Sequence, residues 1–320
     1  MYLAADIGGT KTHLAIYNEG DSHYLVVREK KFASKDYDSL EKIVVEFMAN
    51  ATEKVSKACF GIAGPIKEGK SETPNLPWTV DVKELQKILK TQNIILINDL
   101  AANAYGLNTL SDKDFCVLNK GQIYPESNQA IISAGTGLGE AGLLFDKNGY
   151  KPFASEGGHC DFLSRNEEEI GLFLYLKTKF KEHVSIERAL SGPGLKNIYN
   201  YLVDTKKAKT MLLEKPTSRI ISEKALKKEC PVCEKALDLF IDLYGAEAGN
   251  IALRFFALGG VFIGGGIAPK ILEKFKTPAF MTSFISKGRM KSLLSTIPVK
   301  IILKEETALL GSAYYANHYL

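Results

Sequence analysis

At 320 residues, with 45% hydrophobic and 24% charged residues, the chain has room for two ordinary domains of roughly 150 residues each and the composition of a folded globular protein. Long disorder, collagen-like repeats and a mini-protein that needs staples are excluded. Lys+Arg 41 against Asp+Glu 37 leaves +4 with no basic block, so nothing points to nucleic acid or a membrane surface. No apolar stretch approaches the roughly 18 to 20 residues that span a bilayer, and the opening Met1 to Asp6 does not read as a signal peptide. Five sparse cysteines fit a reducing compartment. A cytoplasmic protein without a disulfide framework is expected.

In chain order, Tyr2 to Ala5 and His13 to Tyr17 read as strands around the glycine-rich turn Asp6-Ile7-Gly8-Gly9-Thr10. Leu40, Ile43, Val44, Phe47 and Met48 follow helical spacing, with Asp38 or Ser39 as N-cap. The continuous apolar runs Ala58 to Ala63 and Ile94 to Ile97 read as parallel strands buried on both faces, with a helix over Val80 to Lys90 between them. A second strand, glycine turn, strand unit follows at Ala130 to Ser133, Ala134 to Gly139 and Ala141 to Phe145, which implies an internal duplication. Ser164 with Glu167 reads as a capping box ahead of a helix over Ile170 to Leu176, and Pro231 opens a long helix toward Ala257. Val261 to Ile263 gives a strand, Gly264-Gly265-Gly266 a turn, Pro269 to Phe275 a helix, and the tail from Thr307 a last helix.

Glycine turns between strands leave successive backbone N–H groups open to one concavity, where phosphate oxygens accept them. Gly-Gly alone equally fits a plain hairpin, but three such clusters, one preceded by Asp6, favour a nucleotide with a hydrated Mg²⁺ near that carboxylate. Gly137 to Gly142 matches G-x-G-x-x-G, with Asp161 near the spacing of a ribose-binding acid, yet it leads into a strand instead of a helix. A dinucleotide site therefore fails on context. Asn98-Asp99 ends a buried strand, where open α/β sheets collect ligands; the alternative is that Asp99 caps the helix Leu100 to Tyr105. Glu156-Gly157-Gly158-His159 brings an acid and an imidazole around backbone that can approach a small ligand closely, or is simply a polar loop. Glu187 reads as either a ligand or a first-turn acid. Cys230-Pro231-Val232-Cys233 lacks a preceding strand and reads as a surface helix turn, and no zinc spacing surrounds His159, Cys160 and Asp161.

Asp6-Ile7-Gly8-Gly9-Thr10, Asn98-Asp99, Gly135-Thr136-Gly137-Leu138-Gly139, Glu156-Gly157-Gly158-His159 and Ser191-Gly192-Pro193-Gly194-Leu195, in this order, resemble bacterial glucokinases. The likeness runs end to end and includes Thr73 to Trp78, Gly259 to Ile267 and Gly311-Ser312-Ala313. It implies the α/β, two-domain actin-like ATPase (ribonuclease-H-like) fold. A small domain of residues 1–109 plus 299–320 and a larger α+β domain of 110–298 would close over a cleft. By motif match, Asp99 corresponds to the catalytic base, while Asn75, Asn98, Glu156, His159 and Glu187 correspond to groups gripping glucose hydroxyls. Ala5, Asp6, Ile7, Gly8, Gly9, Thr10, Gly135, Thr136, Gly137, Gly264, Gly265 and Gly266 correspond to the ATP site, with Asp6 near Mg²⁺ through water. The zinc-bearing branch of the related repressor and sugar kinase (ROK) family is excluded by the single Cys160 between Cys160 and Val184, and no N-terminal DNA-binding extension is expected. Leu100 departs from a frequent aromatic. A homodimer is a further implication. The alternatives are a hexose kinase of broader specificity and a sugar-responsive, non-catalytic actin-like protein.

Overall fold

The computed structural model describes residues 1–20, 23–73, 76–147, 149–206 and 216–320. Its elements run β1 (Tyr2–Ile7), β2 (Lys11–Tyr17), β3 (Val26–Ala33), α1 (Leu40–Met48), β4 (Lys57–Ile62), β5 (Ile66–Lys67), β6 (Lys70–Glu72), β7 (Thr79–Asp81), α2 (Val82–Leu89), β8 (Asn93–Asn98) and α3 (Asp99–Gly106). Then come β9 (Phe115–Asn119), β10 (Gln129–Ala134), β11 (Leu138–Asp146), β12 (Gly149–Ser155), α4 (Glu167–Lys179), α5 (Gly192–Lys206), α6 (Ser218–Leu226) and α7 (Pro231–Arg254). β13 (Gly260–Gly264), α8 (Leu272–Phe275), α9 (Pro278–Ile285), α10 (Lys291–Ser295), β14 (Val299–Ile302) and α11 (Thr307–Tyr319) complete the chain. Two compact units result: Met1–Asp112, Tyr150–Ala154 and Lys304–Leu320, and Lys113–Gly149 with Ser155–Leu303. β14, at the expected start of the small domain's C-terminal piece, pairs in parallel with β13 in the second sheet, so the break falls after Leu303.

In the first unit the sheet order is β3-β2-β1-β4-β8. β1 is antiparallel to β2 and parallel to β4, and β4 is parallel to β8. The period of two in β1 explains its unbroken apolar sequence. Leu3, Ala5 and Ile7 pack with Leu40, Ile43 and Phe47 of α1, while Tyr2 and Ala4 pack on the opposite face with Ala102 of α3 and Leu309 and Ala313 of α11. Asp6 follows Tyr2 and Ala4 in that alternation and takes the face of α3 and α11. Ser39 caps α1, its Oγ accepting from the Lys42 amide.

The second sheet runs β12-β11-β10-β13-β14-β9. Its strands β12-β11-β10-β13-β14 repeat the order of the first sheet, again with an antiparallel β10–β11 hairpin beside two parallel pairings. The duplication expected from two glycine-turn hairpins is therefore a duplication of topology. The core of this unit surrounds α7, whose Ala236, Phe240, Tyr244 and Ala248 are fully buried.

Several local expectations are corrected. Asn98, not Asp99, is the N-cap of α3: its Oδ1 accepts from the amides of Leu100 and Ala101, because Asp99 already has helical backbone. α4 is capped by Asn166, whose Oδ1 accepts from the Glu169 amide at 3.0 Å, in place of Ser164. Cys230 and Cys233 do begin α7, but both are buried and not on the surface. No described helix is long and apolar enough to cross a membrane.

α3 is held against α11 by backbone contact. A Cβ at Gly311 would fall 1.7 Å from the Ala102 carbonyl oxygen and 2.6 Å from the Gly106 nitrogen, neither of which can give way. Ser312 Oγ next to it donates to the Ala5 carbonyl at 2.9 Å, tying α11 to β1. Gly311→Ala is expected to lower stability by about 3 kcal/mol through overpacking. Urea unfolding of the two proteins side by side measures it, and equal midpoints would refute the interlock.

Candidate active site

In the first unit the parallel register aligns Asp6 with Gly61 and Gly61 with Ile97, so Ile7, Ile62 and Asn98 end three adjacent strands together. Asp6 and Asn98-Asp99 thereby share the carboxyl edge of one sheet, the edge where α/β sheets bind ligands. Asp99 is half-buried and its Oδ1 accepts from the Leu100 amide at 2.9 Å. Asn98 spends its carbonyl oxygen on the cap, which leaves its amide hydrogens as the donors available to a ligand. Asp6 is pushed up to about 6, first by desolvation and then by the negative charge of Asp99, with Lys11 partly offsetting both. Asp6 and Asp99 are therefore close enough to repel.

The turn after β1 is fastened from a distance. Gly8 N–H donates to the Lys11 carbonyl at 3.0 Å, and the Ser34 amide donates to the Thr10 carbonyl at 3.1 Å. Ser34 Oγ donates to the Gly8 carbonyl at 2.7 Å and pairs with Thr12 Oγ1 at 3.0 Å. With the Gly8, Thr10 and Lys11 carbonyls so engaged, the Gly9 and Thr10 N–H groups are the turn's donors for an anion. Ser34 carries no motif and lies over twenty residues from the turn, so sequence reading missed it. Ala5 and Ile7 are buried, so only their backbone can serve a ligand. Asn75 lies outside the described residues.

In the second unit Glu156, His159 and Glu187 gather around the start of β11. His159 Nε2 stands 3.9 Å from Glu156 Oε2, both side chains being exposed. Glu187 Oε2 accepts from the Leu138 amide at 3.0 Å. A Cβ at Gly158 would fall 2.0 Å from the carbonyl oxygen of the same Leu138, so only glycine lets the loop lie on the strand. Two backbone bonds, from the Phe162 amide to the Val184 carbonyl and from the Ile186 amide to the Cys160 carbonyl, carry Glu187 back beside that loop. Glu187 lies in a single 3-10 turn, Ile186–Arg188, in place of a helix. His183 Nε2, absent from the expected set, contacts the His159 carbonyl at 2.9 Å and braces the loop from outside.

The other two glycine turns also lie in this unit. Gly135 N–H donates to the Gly137 carbonyl and Gly192 N–H to the Gly135 carbonyl, both at 2.8 Å, while Thr136 is exposed. Gly265 adopts φ +83°, which disfavours any side chain, and Gly265 and Gly266 are exposed. Beside them is a cavity of about 530 Å³ with apolar walls from Leu195, Leu226, Ile267 and Ile271, hydroxyls from Ser218 and Ser222, and the charged side chains of Arg219, Glu223 and Lys270. It fits a planar ring system with a few polar edges. Its lining comes from α5, α6 and the segment that follows the Gly264 to Gly266 turn, and of these only Leu195 and Ile267 fall within sequence motifs.

A family model described as Glucokinase matches residues 3–319. The chain belongs to the glucokinase family. A glucokinase of Nostoc punctiforme is 41% identical over 336 residues, which cover 99% of this chain and 98% of that one. Among solved structures, glucokinase from an Antarctic psychrotroph has a TM-score of 0.87 at 32% identity, covering 98% of each chain. Glucokinase from Balamuthia mandrillaris, solved in complex with glucose, has a TM-score of 0.85 at 23% identity, covering 98% of this chain and 93% of that one, and shows the shared fold. The fold is thus the actin-like ATPase fold of glucokinases and ROK sugar kinases.

The raised Asp6 carboxyl has a stability consequence. The folded chain holds a proton up to about pH 6 that the unfolded chain releases near 3.8, so this group lowers stability as pH rises through that window. Asp6→Asn, measured by denaturant unfolding at pH 4 and pH 7, is expected to gain on the parent more at pH 7. An equal difference at the two pH values would contradict it.

Proposed function

We propose that the chain transfers the γ-phosphoryl group of ATP to the 6-hydroxyl of glucose, with Asp99 as general base. The observation that carries this reading is the register that sets Asp99 and Asp6 on one sheet edge beside an anion-binding turn. A sugar hydroxyl is far too weak an acid to ionise at neutral pH, so its proton must pass to a carboxylate as its oxygen meets phosphorus. The O6–P bond forms, the bond from the γ-phosphorus to the bridging oxygen of ADP breaks, and the proton rests on Asp99 before leaving to solvent. Asp99 is suited to this because the Leu100 amide holds one of its oxygens, which fixes the direction of the other.

The remaining roles follow from donor and acceptor chemistry. Glu156, Glu187 and His159 offer two acceptors and an imidazole to a ring of hydroxyls, and Asn98 adds amide donors. Each charge-assisted bond is worth about 1.5 to 3 kcal/mol, enough to disfavour a hexose with an inverted or missing hydroxyl. The turns Gly8 to Thr10, Gly135 to Gly137 and Gly264 to Gly266 supply backbone N–H groups for the phosphates, the Gly8 and Gly135 N–H groups being used within their own turns. The cavity beside Ile267 takes the base.

Asp6 fits a hydrated Mg²⁺. A half-buried carboxylate repelled by a second one is a site that a divalent cation relieves, and Mg²⁺ accepts one or two carboxylates with waters and phosphates as its other ligands. When bound, the ion neutralises charge on the phosphate oxygens. The product, glucose 6-phosphate, suits a cytoplasmic role at the entry to glycolysis, where the five free cysteines stay reduced. We also propose a homodimer, supported by Ile170 and Leu174, exposed one turn apart on the same face of α4. Sedimentation is expected to give twice the chain mass, and Leu174→Glu half of it.

Asp99→Asn tests the reaction. Turnover in an ADP-coupled assay is expected to fall about 10²- to 10⁴-fold while glucose affinity by calorimetry stays within a few-fold. Near-wild-type turnover would remove Asp99 from the chemistry, and a panel of hexoses in the same assay separates a glucokinase from a broader hexose kinase.

A further inference from the structure

Directly beneath the Glu156–His159 loop lies a carboxyl group that the proposed reaction does not use. Glu140, on β11, is 1% exposed. A Cβ at Gly157 would fall 2.2 Å from its Oε2 and 3.1 Å from its own Cβ, so the whole side chain forms the floor on which Gly157 rests. The loop is fastened to the same residue through backbone: Ser155 Oγ donates to the Glu140 carbonyl at 2.8 Å and accepts from the Gly157 amide at 3.2 Å.

The groups facing Glu140 come from α7. Arg254 Nη1 stands 3.5 Å from Glu140 Oε2 but 2.8 Å from Glu247 Oε1, so the guanidinium is committed mainly to Glu247. Glu247 Oε2 accepts from Asn250 Nδ2 at 2.8 Å, and Lys287, from the segment after α9, holds Asn250 through its Oδ1. Tyr244, also on α7, feels the Glu140 charge while its hydroxyl bonds the Ala134 amide and the Ile132 carbonyl. Glu140 Oε1 has no hydrogen-bond partner among the described residues. Two carboxylates offer no hydrogen to each other, whereas a protonated Glu140 donates to Glu247.

We propose that Glu140 is a positioning residue for the hexose: as a neutral acid sharing its proton with Glu247, it supports Gly157 and so sets Glu156 and His159 against the sugar. This rests on the reading of that loop as the hexose grip. Burial and the charge of Glu247 push the Glu140 carboxyl up to about 8, with Arg254 opposing them. Loss of the proton sets two carboxylates against each other around one half-exposed guanidinium. The side chain cannot retreat without lifting Gly157. Hexose affinity then falls with rising pH, while the Asp99 chemistry is left alone.

The test compares the full-length parent with Glu140→Gln, Glu140→Ala and Glu156→Ala, with glucose KM and kcat measured at saturating Mg-ATP from pH 6 to pH 9.5. The parent's glucose KM is expected to rise several-fold above about pH 8, with kcat changing less than about twofold. Glu140→Gln, a permanently neutral donor, is expected to keep the parent's neutral-pH KM and lose the rise. Glu140→Ala, which removes the floor, is expected to raise KM about tenfold at pH 7. Parallel KM profiles for parent and Glu140→Gln would overturn the inference, whether or not Glu140→Ala folds. If Glu156→Ala raises glucose KM while the Glu140 variants do not, only the inference falls; if Glu156→Ala leaves KM unchanged, the loop is not the hexose grip and both fall.

Discussion

The in-register parallel pairing of β1, β4 and β8 is the constraint on which the first unit's chemistry depends. Because Ile7, Ile62 and Asn98 end together, an acid one residue before the end of β1 and an acid one residue past the end of β8 reach the same edge. A shift of one residue in β1 would turn Asp6 to the other face, into the apolar layer of Leu40, Ile43 and Phe47. The register is locked from both sides, since Leu3, Ala5 and Ile7 fit one layer and Tyr2 and Ala4 the other. The same packing that stabilises the sheet therefore aims the carboxylates.

The second unit uses the repeated topology differently. There the glycine turns at the strand ends carry no acid beside them, and the side chains suited to a sugar come from loops folded back over β11. Leu138 is the meeting point: its amide holds Glu187 and its carbonyl underlies Gly158. One topology thus supplies an acidic edge in one copy and a backbone donor surface in the other. Open α/β sheets make this possible because their strand order sets where ligands sit, while loop composition sets what they meet.

How much of this was legible in the sequence depends on whether the signal was local. β1, β4 and β8 are continuous apolar runs and were readable as buried parallel strands, and α7 announced itself through Pro231. β3, Val26 to Ala33, was not, because an edge strand open to solvent carries Arg28, Glu29, Lys30 and Lys31 and shows no apolar alternation. β9 and β14 do not stand out because each is short and its apolar run is broken or ended by a polar residue, Asn119 in one and Lys300 in the other. The sequence leaves the N-cap of α3 open because Asn98 and Asp99 are both good N-caps, and only the backbone angles decide between them. Site residues followed the same rule. Glycine turns and neighbouring acids were visible as motifs, but Ser34, His183 and Glu140 act through tertiary contact alone.

Both acidic pairs oppose folding locally. Asp6 is desolvated beside Asp99, and Glu140 is buried beside Glu247, so each pair raises one carboxyl's affinity for a proton. Glu140 is 1% exposed on β11, so a proton or a cation is needed to offset the charge that burial disfavours there. Such groups therefore mark where packing does not decide the residue. The cost is carried by the surrounding cores: Phe47 and Phe60 in the first unit, and Phe240, Phe275 and Phe280 in the second, are all at most 1% exposed. An isolated surface ion pair, worth about 1 kcal/mol or less, could not offset a buried repulsion of this kind, whereas each buried phenylalanine contributes about 1.5 to 3 kcal/mol. Rigid aromatic layers therefore allow the molecule to keep carboxyl groups where water would otherwise be required.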